Sequence, residues 1–132
     1  MNHERALQKA LLAHLRADPG VSALLADRQW DAAPENPDHP HLVIGRSESR
    51  PLPGGGGGTE HALTLKAVSR FRGSEEAKAI VAAIRTSLSD AMLQADGVRT
   101  VDVGVRFADV WPSPAGHRTY AVMRVRAVTE DM

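Results

Sequence analysis

Glu60-His61-Ala62-Leu63-Thr64-Leu65-Lys66-Ala67-Val68-Ser69-Arg70, continued by Phe71-Arg72-Gly73 and the segment Ser74 to Met92, is the stretch that decides the fold. In its first half Leu63, Leu65 and Ala67 fall on one side of an extended chain and Thr64, Lys66 and Arg70 on the other, the period-two pattern of a half-buried strand. Gly73 breaks the run. Ser74 stands where it can cap a helix by accepting an orphan amide hydrogen, and Glu75 and Glu76 put negative charge at the positive end of the helix dipole. Ala77, Ile80, Val81, Ile84, Leu88 and Ala91 then recur at three- and four-residue intervals, with Glu76, Lys78, Arg85 and Asp90 largely off that stripe, until Asp96-Gly97 ends the segment. A strand and a helix in succession, each with one apolar face, have to cover one another. The expected core contact is therefore Val81 and Ile84 against Leu63 and Leu65.

Toward the N-terminus, Asn2 caps a predicted helix from His3 to Ala17, with Leu7, Ala10, Leu11, His14 and Leu15 on one side. Asp18-Pro19-Gly20 reads as a turn, and Val21 to Leu25 as a short second helix. Arg28-Gln29-Trp30-Asp31 fits a short strand. Three prolines between Ala33 and Pro40 remove backbone donors and demand a surface loop. His41-Leu42-Val43-Ile44-Gly45 reads as a buried strand, after which the pattern is lost. Pro51-Leu52-Pro53 and the glycines 54 to 58 mark residues 46–59 as a flexible loop, glycine having the most freedom to lose on ordering.

Beyond the central helix, Val101, Val103, Val105 and Phe107 alternate with Thr100, Asp102, Gly104 and Arg106, which predicts one buried face. Pro112-Ser113-Pro114-Ala115-Gly116 reverses the chain. The last strand, Arg118 to Thr129, places Ala121, Met123, Val125 and Ala127 on one face and Tyr120, Val122, Arg124, Arg126 and Val128 on the other. The order of elements predicts a single α+β domain over 1–132, with a mostly antiparallel sheet and helices packed on one face. The second face of the last strand is neither apolar nor plainly solvated. Such mixed faces suit subunit contacts, so Tyr120, Val122, Arg124 and Arg126, with Asp102 and Arg106 on the neighbouring strand, are the candidate contact residues.

Lys plus Arg and Asp plus Glu number 16 each, so no global electrostatic pull toward nucleic acid or anionic membrane exists. The chain has no cysteine, which excludes disulfides and thiolate metal sites. The polar N-terminus and the lack of any apolar run of membrane-spanning length point to a cytoplasmic product with no membrane partner. Four chemistries compete with solvated or structural roles for the same residues. His39, His41 and His61 offer imidazole ligands for a metal-dependent hydrolase, but His-Pro-His in a proline-rich loop is weak metal spacing. Arg70, Phe71 and Arg72, or Arg124 and Arg126, offer a nucleic-acid accessory surface, against which the balanced charge counts. No Gly-x-Ser-x-Gly elbow accompanies the serines, and no lysine and hydroxyl follow the glycine run as in a phosphate loop. No catalytic residue and no cofactor is expected; Trp30 and Trp111 read as core anchors or edge covers.

From Leu7 to Glu130 the segments resemble the tail completion family of tailed phages, the tail terminator or head-to-tail joining proteins. The likeness is carried by Leu7-Gln8-Lys9-Ala10-Leu11, then Ala17-Asp18-Pro19-Gly20-Val21 with Ala23-Leu24-Leu25, then Arg28-Gln29-Trp30-Asp31 and His39-Pro40-His41-Leu42-Val43-Ile44-Gly45. It is strongest at His61 to Arg70 followed by Gly73 and Glu76-Ala77. Val68 stands where the family pattern has tryptophan, and Trp30 where tyrosine is usual. The resemblance implies a structural virion protein of a phage, prophage or gene transfer agent, assembled in the host cytoplasm and without enzymatic activity. It implies a homo-oligomer, a hexameric ring, that caps the tail tube, ends its polymerisation and meets the head connector, with no sequence-specific nucleic acid partner.

Overall fold

A computed structural model describes residues 2–54 and 56–132 of the chain; Met1 and Gly55, the latter within the expected flexible segment, lie outside the described residues. Three helices and six strands follow in the order α1 (His3–Ala17), α2 (Pro19–Leu25), β1 (Gln29–Trp30), β2 (His41–Pro51), β3 (Thr59–Val68), α3 (Glu75–Leu88), β4 (Gln94–Ala95), β5 (Val98–Pro112) and β6 (Thr119–Asp131). The strands form one curled sheet in the order β1-β2-β3-β6-β5-β4, antiparallel throughout except where β1 runs parallel to β2. This is the expected α+β arrangement, with the helices on one face. Among the described residues no helix is long and apolar enough to cross a membrane.

The core lies between the helices and the covered face of the sheet. Leu11 and Leu15 of α1, Val21 and Leu25 of α2, and Ile80, Ile84 and Leu88 of α3 are fully buried with Leu63, Leu65, Met123 and Val125. Val81 joins the same cluster at the rim. Each large aliphatic side chain withdrawn from water contributes roughly 1.5–3 kcal/mol, which makes this layer the main source of stability.

The helix ends show which caps the sequence predicts correctly. Asn2 accepts the Arg5 amide hydrogen with its side chain, as expected for α1. Asp18-Pro19-Gly20 is not a free turn: Asp18 caps α2 by accepting from the Val21 amide at 3.0 Å, and Pro19 occupies the first helical turn, where a missing N–H costs nothing. Ser74 precedes α3 but makes no capping bond with its side chain. Glu76 instead reaches back, accepting from Ser69 Oγ at 3.0 Å, the Arg70 amide at 2.9 Å and Arg70 Nε at 2.9 Å. Burial pushes the Glu76 carboxyl up, but the bonds from Arg70 and Ser69 together outweigh it and hold the group below its usual value. The strand-to-helix corner is thus fastened by an acid in the first turn, a role the sequence reading gave to the serine.

Two further expectations need correction. The loop expected over residues 46–59 is much shorter, because Arg46 to Pro51 continue β2 and Ser47 to Pro51 pair with Thr59 to Leu63 across a hairpin closed by the Leu52 amide on the Gly58 carbonyl at 2.9 Å. A register shift between Ile44 and Ser47 reverses the alternation there and hides the strand from pattern reading. In β5 the predicted common face of Val101, Val103, Val105 and Phe107 is broken by two shifts, between Thr100 and Asp102 and between Val105 and Phe107. Val103 is buried, whereas Val101 and Phe107 are each 56% exposed.

Candidate contact surface

The sheet face turned away from the helices is built in rungs that can be read from the register. Arg50, Glu60, Val128 and Asp102 lie side by side; next come Glu48, Ala62, Arg126 and Gly104, then Thr64, Arg124 and Phe107. Val43, Lys66, Val122 and Asp109 follow, and finally His41, Val68, Tyr120 and Trp111. Four of the six predicted contact residues, Tyr120, Val122, Arg124 and Arg126, therefore share one face of β6, with Asp102 on the neighbouring strand in the same layer. Arg106, expected on that face by simple alternation, is the unpaired residue of the second bulge and reaches Asp102 from there, Nη2 to Oδ2 at 2.9 Å.

Arginine organises this face. Arg126 donates from Nε to Glu60 Oε2 at 2.8 Å and from Nη1 to Asp102 Oδ2 at 3.1 Å. Glu60 also accepts from Arg50 Nε at 2.7 Å. Hydrogen bonds from Arg50, and then from Arg126, hold the Glu60 carboxyl below its usual value, so it stays ionised across the neutral range. Arg124 is bound more loosely, 3.8 Å from Glu48, which also pairs with Arg46 at 3.2 Å. Glu48, Arg50, Glu60, Arg106, Arg124 and Arg126 line an open hollow of about 450 Å³. A planar guanidinium with several fixed donors can exchange one carboxylate for another without losing geometry, which suits a surface that is paired with itself before it meets a partner.

Sequence reasoning missed two residues of this surface. Phe107 lies directly opposite Arg124, and Trp111 opposite Tyr120, with ring centroids 5.8 Å apart edge to face. Both are exposed, and large exposed apolar groups beside arginine are what contact surfaces are enriched in. The structure shows why: inward-facing residues of β5 move from even numbers at Val98 to odd at Val103 and back to even at the partly buried Ala108 and Val110, through the two register shifts.

The alternative histidine site does not assemble. His39 and His41 are close, with rings 4.7 Å apart, but His41 pairs with Val68, seven residues along β3 from His61. At about 3.3 Å per residue that is about 23 Å, and the odd count puts His61 on the covered face. There it is buried, donating or accepting at Nε2 with Thr129 Oγ1 at 2.8 Å; the same hydroxyl meets His3 Nδ1 at 2.7 Å, and His3 Nε2 meets Asp131 Oδ1 at 2.7 Å. Burial, and more weakly the His3 side chain, lower the His61 pKa against the pull of Glu4, so the ring is a neutral tie between α1 and the end of the sheet. No group of three or more metal-ligating side chains occurs among the described residues. Of the arginines named for a nucleic-acid surface, Arg70 is paired with Glu76 and Arg126 with Glu60.

Comparison with known proteins settles the family. The model of the tail completion protein gp17 family matches residues 9–130. The chain belongs to that family. It is therefore a structural component of phage-type tails. Among solved structures, a chain of the virion of a native gene transfer agent particle superposes with a TM-score of 0.87 at 25% identity, covering 98% of both chains. No match was found among curated protein sequences.

Proposed function

We propose that this tail completion protein closes into a ring on the end of the tail tube, stops tube growth and offers its outer surface to the head connector. The observation that carries the reading is the open sheet face. Among the described residues no helix covers this face of the sheet, and it holds Arg124, Arg126, Tyr120, Phe107 and Trp111 side by side in mixed chemistry. A head-to-tail contact through such a face generates a ring when its rotation closes and a filament when it does not, so a terminator requires the closing geometry. A mixed interface is weak in isolation, and the subunits assemble once the tube end raises their local concentration. The virion location of the gene transfer agent relative supports the setting, a phage, prophage or gene transfer agent particle. The reading includes no enzymatic activity.

The test adds purified protein to assembling tail tubes and follows tube length and tube ends by electron microscopy. Tubes that stop at uniform length and carry a closed ring of density, six-fold by expectation, support the reading. Tubes that keep growing with bare ends contradict it.

A further inference from the structure

At the far end of the same open face lies a second hollow, of about 540 Å³, whose chemistry differs from the arginine network. Lys66, Arg118, His39 and His117 line it, and no carboxylate does. Lys66 and Arg118 make no ion pair among the described residues. Lys66 Nζ rests 4.3 Å from the centre of the Tyr120 ring, so its charge is held over an aromatic face and not neutralised. Arg118 is fixed at the backbone, where its amide donates to Ser113 Oγ at 3.2 Å and its carbonyl accepts from the Ser113 amide at 2.8 Å, which pins the β5–β6 turn beside the cavity. The imidazoles report the imbalance. His39 is held below its ordinary value by burial and then by the charges of Arg118 and His41, with Asp38 opposing. His41 is lowered by burial, against the Asp38 carbonyl, and further by Arg118, Lys66 and Arg28. Unpaired cations gathered around a concave space are a standing electrostatic cost that an incoming anion removes.

We propose that this hollow is a docking pocket for a carboxylate side chain on an acidic, partly apolar segment of an adjoining virion protein. Lys66 and Arg118 bind the carboxylate, and Tyr120 and Val68 receive the apolar neighbour. A protein carboxylate is favoured over nucleic-acid phosphate by the rungs beside the pocket. Asp109 lies in the Lys66 rung, and the arginines that follow along the face, Arg124, Arg126 and Arg50, already stand against Glu48, Glu60 and Asp102, so a run of phosphates leaving the pocket meets a carboxylate with every further arginine. One charge is accepted here, and a chain of them is refused. The pocket shares Tyr120 with the face proposed as the ring contact, but its cations Lys66 and Arg118 lie outside the arginine network, and its assignment does not depend on ring closure.

The experiment is an amide and imidazole NMR titration of the intact protein with the capped tripeptide Ac-Glu-Leu-Glu-amide at low ionic strength. The Gln-Leu-Gln counterpart and a short DNA duplex serve as competitors. The expected result is saturable shifts at His39, Lys66, His117 and Arg118, a rise of the His39 titration midpoint, and no binding of the glutamine peptide. Arg118→Gln and Lys66→Gln should each weaken binding at least tenfold with an unchanged melting temperature, while Arg85→Gln, on α3, should leave it unaltered. Equal binding of the glutamine peptide, shifts confined to other residues, or no binding at all overturns the proposal. Displacement by duplex DNA with steep salt dependence assigns the pocket to nucleic acid instead. Loss of self-association in Arg118→Gln assigns it to a second copy of the chain.

Discussion

The two faces of the sheet are made by the same strands, yet they obey different rules. On the covered face Leu63, Leu65, Met123 and Val125 sit in an apolar cluster with helix side chains, and the buried polar groups His61 and Thr129 are hydrogen-bonded to each other. On the open face the same strands present Glu60, Arg124 and Arg126, held by ion pairs and half in water, and Lys66, held over the Tyr120 ring. The covered face is fixed by volume and by the exclusion of water, so each residue there answers for stability. The open face is fixed by exchangeable pairs, whose net worth to stability is small, so its residues are free to answer for contact. The difference teaches that substitutions on the two faces should fail in different assays, and the predictions rank accordingly.

The largest effect belongs to the core. Val81→Asp places a carboxylate against the buried Ile84, Leu63 and Leu65 layer, where no donor meets it. It should abolish cooperative thermal unfolding; a melting curve like the parent's would mean that α3 does not cover β3. Next comes the strand-to-helix corner. Glu76→Ala removes the acceptor for the Ser69 hydroxyl, the Arg70 amide and the Arg70 guanidinium, and should lower stability by about 1–3 kcal/mol in denaturant melts. Ser74→Ala, which deletes no capping bond, should cost far less, and the reverse order would return the cap to the serine.

Acid should erode stability in two stages with separate origins. His39, His41 and His61 all titrate below their ordinary 6.5 in the folded chain, so below 6.5 the unfolded chain binds more protons and stability falls as pH falls. Glu60, Glu76 and Asp18 are depressed carboxyls; their contribution is complete above the ordinary carboxylate range and is lost as pH drops through the folded values. Denaturant midpoints measured from pH 7 down to pH 3 should decline throughout. His61→Gln should flatten the upper stage, and an unchanged slope between pH 7 and pH 5 would remove His61 from it.

The smallest effect is expected in the β2–β3 turn. Gly54 and Gly57 have φ of 101° and 75°, which only glycine adopts without strain, while a Cβ at Gly56 meets nothing within 4 Å. Gly56→Ala should therefore be neutral or stabilise by up to about 1 kcal/mol, and Gly57→Ala should destabilise by a similar amount. We further expect Gly56 and Gly57 to be mobile in the free subunit and to order on assembly. Strong amide-exchange protection at Gly56 and Gly57 in the free protein would contradict that.

The covered face was legible from the sequence for a physical reason: burial repeats with the period of the backbone, so Leu63-Thr64-Leu65 and the Ile80, Ile84, Leu88 stripe declare themselves. The open face was legible where β6 runs without interruption, which is why Tyr120, Val122, Arg124 and Arg126 were placed together in advance. It was lost wherever a bulge shifts the parity. One inserted residue at Val101 and another at Arg106 turn Val101 and Phe107 outward, and the shift after Ile44 makes Arg46 to Pro51 look patternless. The histidine alternative failed for a related cause, since separation along a strand and side of the sheet are properties of register, and spacing in sequence does not carry them.

The measurement that tests the account most directly is tail assembly with Phe107→Asp combined with Arg124→Glu. The two residues face each other across β5 and β6, and both are exposed enough for the variant to keep its fold, which circular dichroism and a thermal melt will verify. The account predicts a folded protein that leaves tail tubes overlong, bare-ended and unjoined to heads. A folded double variant that still yields tails of normal length carrying heads would show that the open face is not the contact.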